Sequence, residues 1–126
     1  MAPPTFSTLV SGYSFFEGPR WHADRLWLSD FYTRQVIAVG LDGTVETIAE
    51  VPGQPSGLGW LPDGRLLVVS MRDRKLLRRE PDGQLVEHAD LSAVADGHAN
   101  DMVLDRQGNA YVGNFGFSRS GDAPLA

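Results

Sequence analysis

Three oxygen-bearing side chains occupy matching positions in similar stretches of this sequence. They are Glu17, Ser56 and Asn100, and the first two are followed by glycine. If the fold brings them together, a carboxylate, a hydroxyl and an amide oxygen converge on one point, and hard cations such as Ca²⁺ and Mg²⁺ prefer these ligands. The glycines, Gly18 and Gly57, indicate sharp turns of the backbone. The alternative is that the three side chains cap strand ends by bonding to nearby backbone amides.

Repeated hairpins are the elements that must position these residues. Each of three segments has an apolar stretch, a short polar turn and a β-rich run, with turns at 22–24, 62–64 and 106–108. A second pair of strands follows each of the first two hairpins, and these pairs turn at Asp42-Gly43 and Asp82-Gly83. Asp-Gly is the dipeptide expected where a turn needs positive φ. Four strands per unit and a repeat of about 40 residues predict the blades of a β-propeller.

The predicted units leave a propeller unclosed. Blade A covers about 17–50, blade B about 56–90 and half of blade C about 100–117, whereas a closed ring needs roughly four to eight blades. A strand at 6–10 is predicted as the outer strand of the closing blade. The sequence therefore predicts one partial all-β propeller domain over 1–126, completed by further blades or by other chains.

Other residues of the repeats are assigned to packing and turns. Large aromatic side chains are predicted to fill the interfaces between blades. These are Trp21, Trp27, Trp60, Phe115 and Phe117. Asp30 and Ser70 end equivalent strands and are predicted to form turns.

Composition excludes several kinds of site and partner. The 126 residues contain no cysteine, which excludes disulfides, a thiolate nucleophile and a zinc–thiolate site. The net charge is −5 and no stripe of Lys and Arg is present, so we expect no nucleic-acid partner. The sequence has neither a leader pattern nor a long apolar span. We therefore expect a cytoplasmic protein without a membrane partner.

Four motifs resemble the senescence-marker-protein/gluconolactonase family. They are FEGPRW at 16–21, GQPSGLG at 53–59, NDMVLD at 100–105 and GNFGF at 113–117. The resemblance runs from about Leu9 to Phe117. It implies a six-bladed propeller that hydrolyses lactones or related esters with one divalent cation (Ca²⁺, Zn²⁺ or Mg²⁺). In such a mechanism the cation polarises the lactone carbonyl while a carboxylate activates water.

The resemblance also implies roles for individual residues. Glu17 corresponds to a metal ligand, and Asn100 to a residue that contacts the substrate or a metal-bound water. Asp101 is expected to support Asn100, and Ser56 and Asn114 are further supporting candidates. No residue of the chain is assigned as the catalytic base.

Two positions depart from the pattern of relatives that act on sugar lactones. Those relatives can carry an Arg two residues before the Asn and a Glu just after the following strand, where this chain has His98 and Ser118. The departure argues against a sugar-acid substrate, and His98 is predicted to contact the substrate. The family's remaining metal ligands, an Asn and an Asp, belong to later blades. We therefore expect residues 1–126 alone to have little or no lactonase activity.

Two other functions remain open at this point. One is a non-catalytic propeller scaffold that binds a partner, since fold does not determine function. The other is a half-propeller that assembles with itself. In such a homodimer two copies of Glu17 and two of Asn100 would surround one axis.

Overall fold

The computed structural model describes residues 1–116, and it is all-β over that range. Ten strands follow one another: β1 (Phe16–His22), β2 (Arg25–Asp30), β3 (Gln35–Val39), β4 (Val45–Glu50), β5 (Pro55–Trp60), β6 (Leu66–Ser70), β7 (Lys75–Arg79), β8 (Leu85–Asp90), β9 (Ala99–Leu104) and β10 (Ala110–Asn114). Residues 1–116 contain no helix with the length and hydropathy needed to span a bilayer.

The strands form three antiparallel sheets in chain order. β1 to β4 make one four-stranded sheet, β5 to β8 make a second, and β9 pairs with β10. The Asp-Gly turns confirm the prediction, because Gly43 and Gly83 both have φ of +87°. Asp42 stabilises its turn by accepting a 2.9 Å hydrogen bond from the amide of Thr44, and Asp82 does the same for Gln84 at 2.9 Å. Two complete blades and the hairpin of a third are therefore present.

The core lies between the sheets, which pack face to face. Side chains alternate between the two faces of a strand. On β6, Leu66 and Val68 pack toward the first sheet, whereas Leu67 and Val69 pack toward β9. All four side chains are buried, so the second sheet has apolar neighbours on both sides. Because both faces of β6 are covered, its first four residues are all apolar.

Aromatic packing between the blades follows the prediction only in part. Trp27 is buried in the core between the first two sheets, and Trp60 packs against the same cluster. The ring of His22 stacks on Trp60 at a centroid distance of 3.8 Å. The prediction for Trp21 is wrong, because 57% of this side chain is exposed. Phe117 lies outside the described residues.

The N-terminal segment covers the outer face of the first sheet. Residues 6–10 were predicted as a strand, but the structure forms none there, since no strand among residues 1–116 pairs with them. Leu9 and Val10 are partly buried against Leu28, Ile37 and Val39. The assignment of this segment to a closing blade stays a prediction.

Candidate functional site

Glu17, Ser56 and Asn100 meet at one end of the three inner strands. Each is the second residue of its strand, on β1, β5 and β9 respectively. The hydroxyl oxygen of Ser56 lies 2.8 Å from Oε2 of Glu17 and 3.0 Å from Oδ1 of Asn100. Ser56 is buried, whereas Glu17 and Asn100 are partly exposed. The structure thus brings together the three side chains that the repeats predicted to converge.

A bulge of one extra residue recurs at this end of every inner strand. The register shifts between Glu17 and Arg20 on β1, and between Pro55 and Leu58 on β5. In the third hairpin the extra residue lies on β9 between Ala99 and Met102, which pair with Asn114 and Val112 of β10. A bulge twists its strand and redirects the side chains beside it. Sequence reasoning missed these bulges, although the glycines next to Glu17 and Ser56 were a signal for them.

Two glycines let the inner strands approach closely. Gly18 has φ of +59°, and a Cβ at that position would lie 2.6 Å from the carbonyl oxygen of Ser56. A Cβ on Gly57 would lie 2.5 Å from the backbone nitrogen of Met102. The expected sharp turn is therefore confirmed for Gly18. Gly57 instead has no positive φ, and it is required because β9 passes directly over it.

Ser29 is a contributor to the site that sequence reasoning missed. Its hydroxyl donates a 2.6 Å hydrogen bond to the carbonyl oxygen of Ser56, and both residues are buried. This bond ties β2 of the first blade to the bulge of β5. A hydroxyl at the end of the apolar run 26–28 was the available signal, because buried polar groups need partners.

Replacing Ser29 with Ala is expected to destabilise the protein by about 1–2 kcal/mol, because the buried carbonyl of Ser56 loses its hydroxyl partner. The measurement is the urea unfolding midpoint of the full-length protein, by which we mean the protein with its propeller complete. Ser11→Ala is the matched control, since Ser11 is exposed in the N-terminal segment, and it should change stability by less than about 0.5 kcal/mol. Equal midpoints for the two variants would show that the bond contributes nothing.

Asp30 anchors the chain segment that leads into Glu17. Its Oδ1 accepts hydrogen bonds from the amide of Phe15 at 2.7 Å and from the hydroxyl of Ser14 at 2.9 Å, and Thr33 donates to Oδ2 at 2.6 Å. Burial raises the pKa of the Asp30 carboxyl, but the hydrogen bonds from Thr33, Phe15 and Ser14 outweigh it and hold the pKa below its ordinary value. Asp30 is therefore ionised at neutral pH. Its role extends beyond the turn that the sequence predicted.

A cavity of about 350 Å³ opens beside Glu17. Its lining consists of Phe15, Glu17, Phe31, Tyr32, Met71, His98 and Phe115. His98 is exposed, and it shares this cavity with Glu17, as a substrate-contacting residue must. Its contact with substrate stays a prediction.

The remaining predicted residues lie outside the cluster of three. Oδ1 of Asp101 accepts a 2.7 Å hydrogen bond from Nη2 of Arg20, an ion pair that joins the first and third units. Asn114 is exposed, and its side-chain oxygen accepts a 2.7 Å hydrogen bond from the amide of Gly116. The supporting roles expected for Asp101 and Asn114 remain predictions, and Ser118 lies outside the described residues.

The oxygen atoms of the cluster are ligands of the type that a hard cation prefers. A hydroxyl has one hydrogen, so Ser56 donates to only one of the two oxygens that it contacts. The second contact requires either a turned Asn100 amide that donates to Ser56 or a cation shared by the oxygens. Within residues 1–116 no group of three or more His, Cys, Asp or Glu side chains forms a metal site. These residues thus fit part of a coordination shell, since Ca²⁺ takes six to eight oxygens.

Solved structures of known proteins share the fold of this chain. A gluconolactonase from Xanthomonas campestris is 26% identical to it with a TM-score of 0.75, and the match covers 85% of this chain and 37% of the gluconolactonase. A catalytically inactive virginiamycin B lyase from Staphylococcus aureus, with quinupristin, is 15% identical with a TM-score of 0.64, and the match covers 86% of this chain and 40% of the lyase. This chain therefore spans well under half the length of either structure.

Family comparison agrees with these structures. No curated protein sequence matches the chain significantly. The family model for the SMP-30/gluconolactonase/LRE-like region matches residues 15–124, nearly the whole chain. The predicted fold, a propeller of the six-bladed type represented by about two and a half blades, is confirmed. This chain belongs to the SMP-30/gluconolactonase/LRE-like family.

Proposed function

We propose that the full-length protein is a metal-dependent hydrolase of lactones or related esters. One observation carries the proposal: the side chains of Glu17, Ser56 and Asn100 meet at the edge of a cavity. The hydroxyl oxygen of Ser56 lies within 3.0 Å of an oxygen of each of the other two. The similarity to a gluconolactonase supports the lactone as substrate. A scaffold that only binds a partner would not need a carboxylate directed at that point.

Glu17 is the residue that would hold the metal, with Ca²⁺, Zn²⁺ and Mg²⁺ as the candidates. When bound, such a cation supplies Lewis-acid polarisation of the lactone carbonyl and stabilises the negative charge that develops on its oxygen. Ser56 orients Glu17 by donating to Oε2, and the part of the chain that the structure describes gives the other carboxylate oxygen no hydrogen-bond donor, so that oxygen can bind a ligand. The ligands beyond Glu17 would come from parts of the propeller outside residues 1–116.

Asn100 would orient the substrate. Its side chain is partly exposed, so its NH2 group can donate to a lactone carbonyl, and a water molecule can either accept from that group or donate to the amide oxygen. The side chain is restrained by the contact with Ser56 and by the strand that carries it, so little conformational entropy is lost when substrate binds. The aromatic residues around the cavity would exclude water from the other side.

The test measures lactone hydrolysis by the full-length protein before and after treatment with EDTA. The rate is measured by pH-stat titration of the acid that hydrolysis releases. We expect hydrolysis that EDTA abolishes and that one of the three cations restores. Residues 1–126 alone should show little or none, since Glu17 is the only carboxylate that residues 1–116 place at the cluster. A full-length protein that binds none of the cations and hydrolyses no lactone would contradict the proposal and favour the scaffold. Light scattering on residues 1–126 tests the homodimer separately, and a monomer would exclude it.

A further inference from the structure

One wall of the cavity beside Glu17 is a cluster of three aromatic rings. Phe31 and Tyr32 pack edge to face with centroids 4.9 Å apart, and Phe15 lies edge-on to both at 6.4 Å. Edge-to-face geometry is the favourable arrangement for aromatic pairs. Yet 54% of Phe15 and 67% of Tyr32 remain exposed. Large apolar surface left open beside a polar cluster indicates a binding surface.

Backbone hydrogen bonds hold this wall in place. The amide of Phe15 donates to Asp30 at 2.7 Å, and the amide of Phe31 donates to the carbonyl of Phe15 at 2.9 Å. The amide of Tyr32 donates to the hydroxyl of Ser14 at 3.1 Å. The backbone that carries the rings is therefore fixed before any ligand arrives, which lowers the cost of binding.

The rest of the cavity lining is also largely apolar. Met71 is buried, Phe115 is partly buried, and His98 is exposed. Among the described lining residues, Glu17 is the only acid, and none is Lys or Arg. The volume of about 350 Å³ lies within the range of small-molecule sites, about 300–1,000 Å³.

We infer that the substrate carries an aromatic or similarly flat apolar group, and that this group packs on Phe15, Phe31 and Tyr32 while its ester carbonyl lies at Glu17. This inference rests on the proposed function and names its substrate class. A polyhydroxylated sugar lactone would set hydroxyls against aromatic carbon, where they lose water without gaining partners. A benzo-fused lactone would bury apolar surface in the same place.

Three δ-lactones that differ only in what the ring carries test the inference. δ-Valerolactone has no substituent, dihydrocoumarin has a fused benzene ring, and glucono-δ-lactone has polar substituents. The measured quantity is the ratio of kcat/KM for dihydrocoumarin to that for δ-valerolactone, in the full-length protein and in Phe15→Ala. Comparing this ratio between proteins cancels the intrinsic reactivity of each lactone.

We expect this ratio to fall about tenfold in Phe15→Ala, the change given by loss of one aromatic contact. Tyr32→Ala should lower it in the same direction. Phe6→Ala is the matched control, since 92% of Phe6 is exposed and it lies outside the cavity, so it should leave the ratio unchanged. Melting temperatures of all three variants show whether each has folded.

The outcomes separate this inference from the proposed function. Metal-dependent hydrolysis of glucono-δ-lactone in preference to dihydrocoumarin, with Phe15→Ala and Tyr32→Ala no different from Phe6→Ala, would overturn the inference and keep the lactonase. Hydrolysis of none of the three lactones would overturn both. Should Phe15→Ala fail to fold, the result for Tyr32→Ala decides.

Discussion

Replacing Glu17 with Gln is expected to remove almost all metal binding and metal-dependent lactone hydrolysis from the full-length protein. The substitution keeps the size of the side chain and an oxygen for the bond from Ser56, but it removes the negative charge. Changing residues that merely surround metal ligands costs about 10–100-fold in metal affinity. Loss of the only carboxylate that the described residues place at the cluster should therefore cost more than about 100-fold.

Calorimetric titration with Ca²⁺, Zn²⁺ and Mg²⁺ measures this loss without relying on activity. Glu50→Gln is the matched control, because Glu50 is exposed at the end of β4 and lies away from the cluster. It should leave the affinities unchanged. Glu17→Gln protein that is folded and binds a cation as tightly as the control would show that the cluster is not the metal site. In that case, its contacts would only stabilise the ends of the strands.

The strands could be predicted from sequence because their signals are local. Short apolar runs mark β2, β3 and β6, and Asp42-Gly43 and Asp82-Gly83 mark two of the turns. The repeat also placed Glu17, Ser56 and Asn100 at equivalent positions, and their convergence follows once the blades stack side by side. A pattern repeated along the chain thus carries information about distant contacts.

The features that could not be predicted from the sequence depend on contacts between separate elements of the fold. The bond from Ser29 to the carbonyl of Ser56 joins residues 27 positions apart, and nothing in either segment alone requires it. Trp21 has the residue type expected for packing between blades, but 57% of its side chain is exposed among the described residues. Residue type alone does not reveal which neighbouring element covers a side chain. Residues 6–10 show a related effect, since a strand exists only where another strand pairs with it.

Gly57→Ala is expected to separate the second and third blades at the site. The added Cβ would lie 2.5 Å from the nitrogen of Met102 and 2.9 Å from Cα of Asp101. These are backbone atoms of β9, which cannot rotate away as a side chain can, so the whole strand must move. Asn100 then loses its 3.0 Å contact with Ser56.

The expected cost is about 3 kcal/mol, at the upper end of what overpacking causes, and metal binding by the cluster should weaken with it. The comparison that isolates the clash is Gly113→Ala on β10, where the added Cβ would lie 3.8 Å from the nearest carbonyl oxygen, an ordinary contact. Both substitutions reduce the entropy of the unfolded chain equally, so their difference in urea midpoint reports the close approach alone. A Gly57→Ala protein as stable as Gly113→Ala would mean that β5 and β9 are not held this close in solution. The three oxygens would then lack the geometry on which the metal site depends.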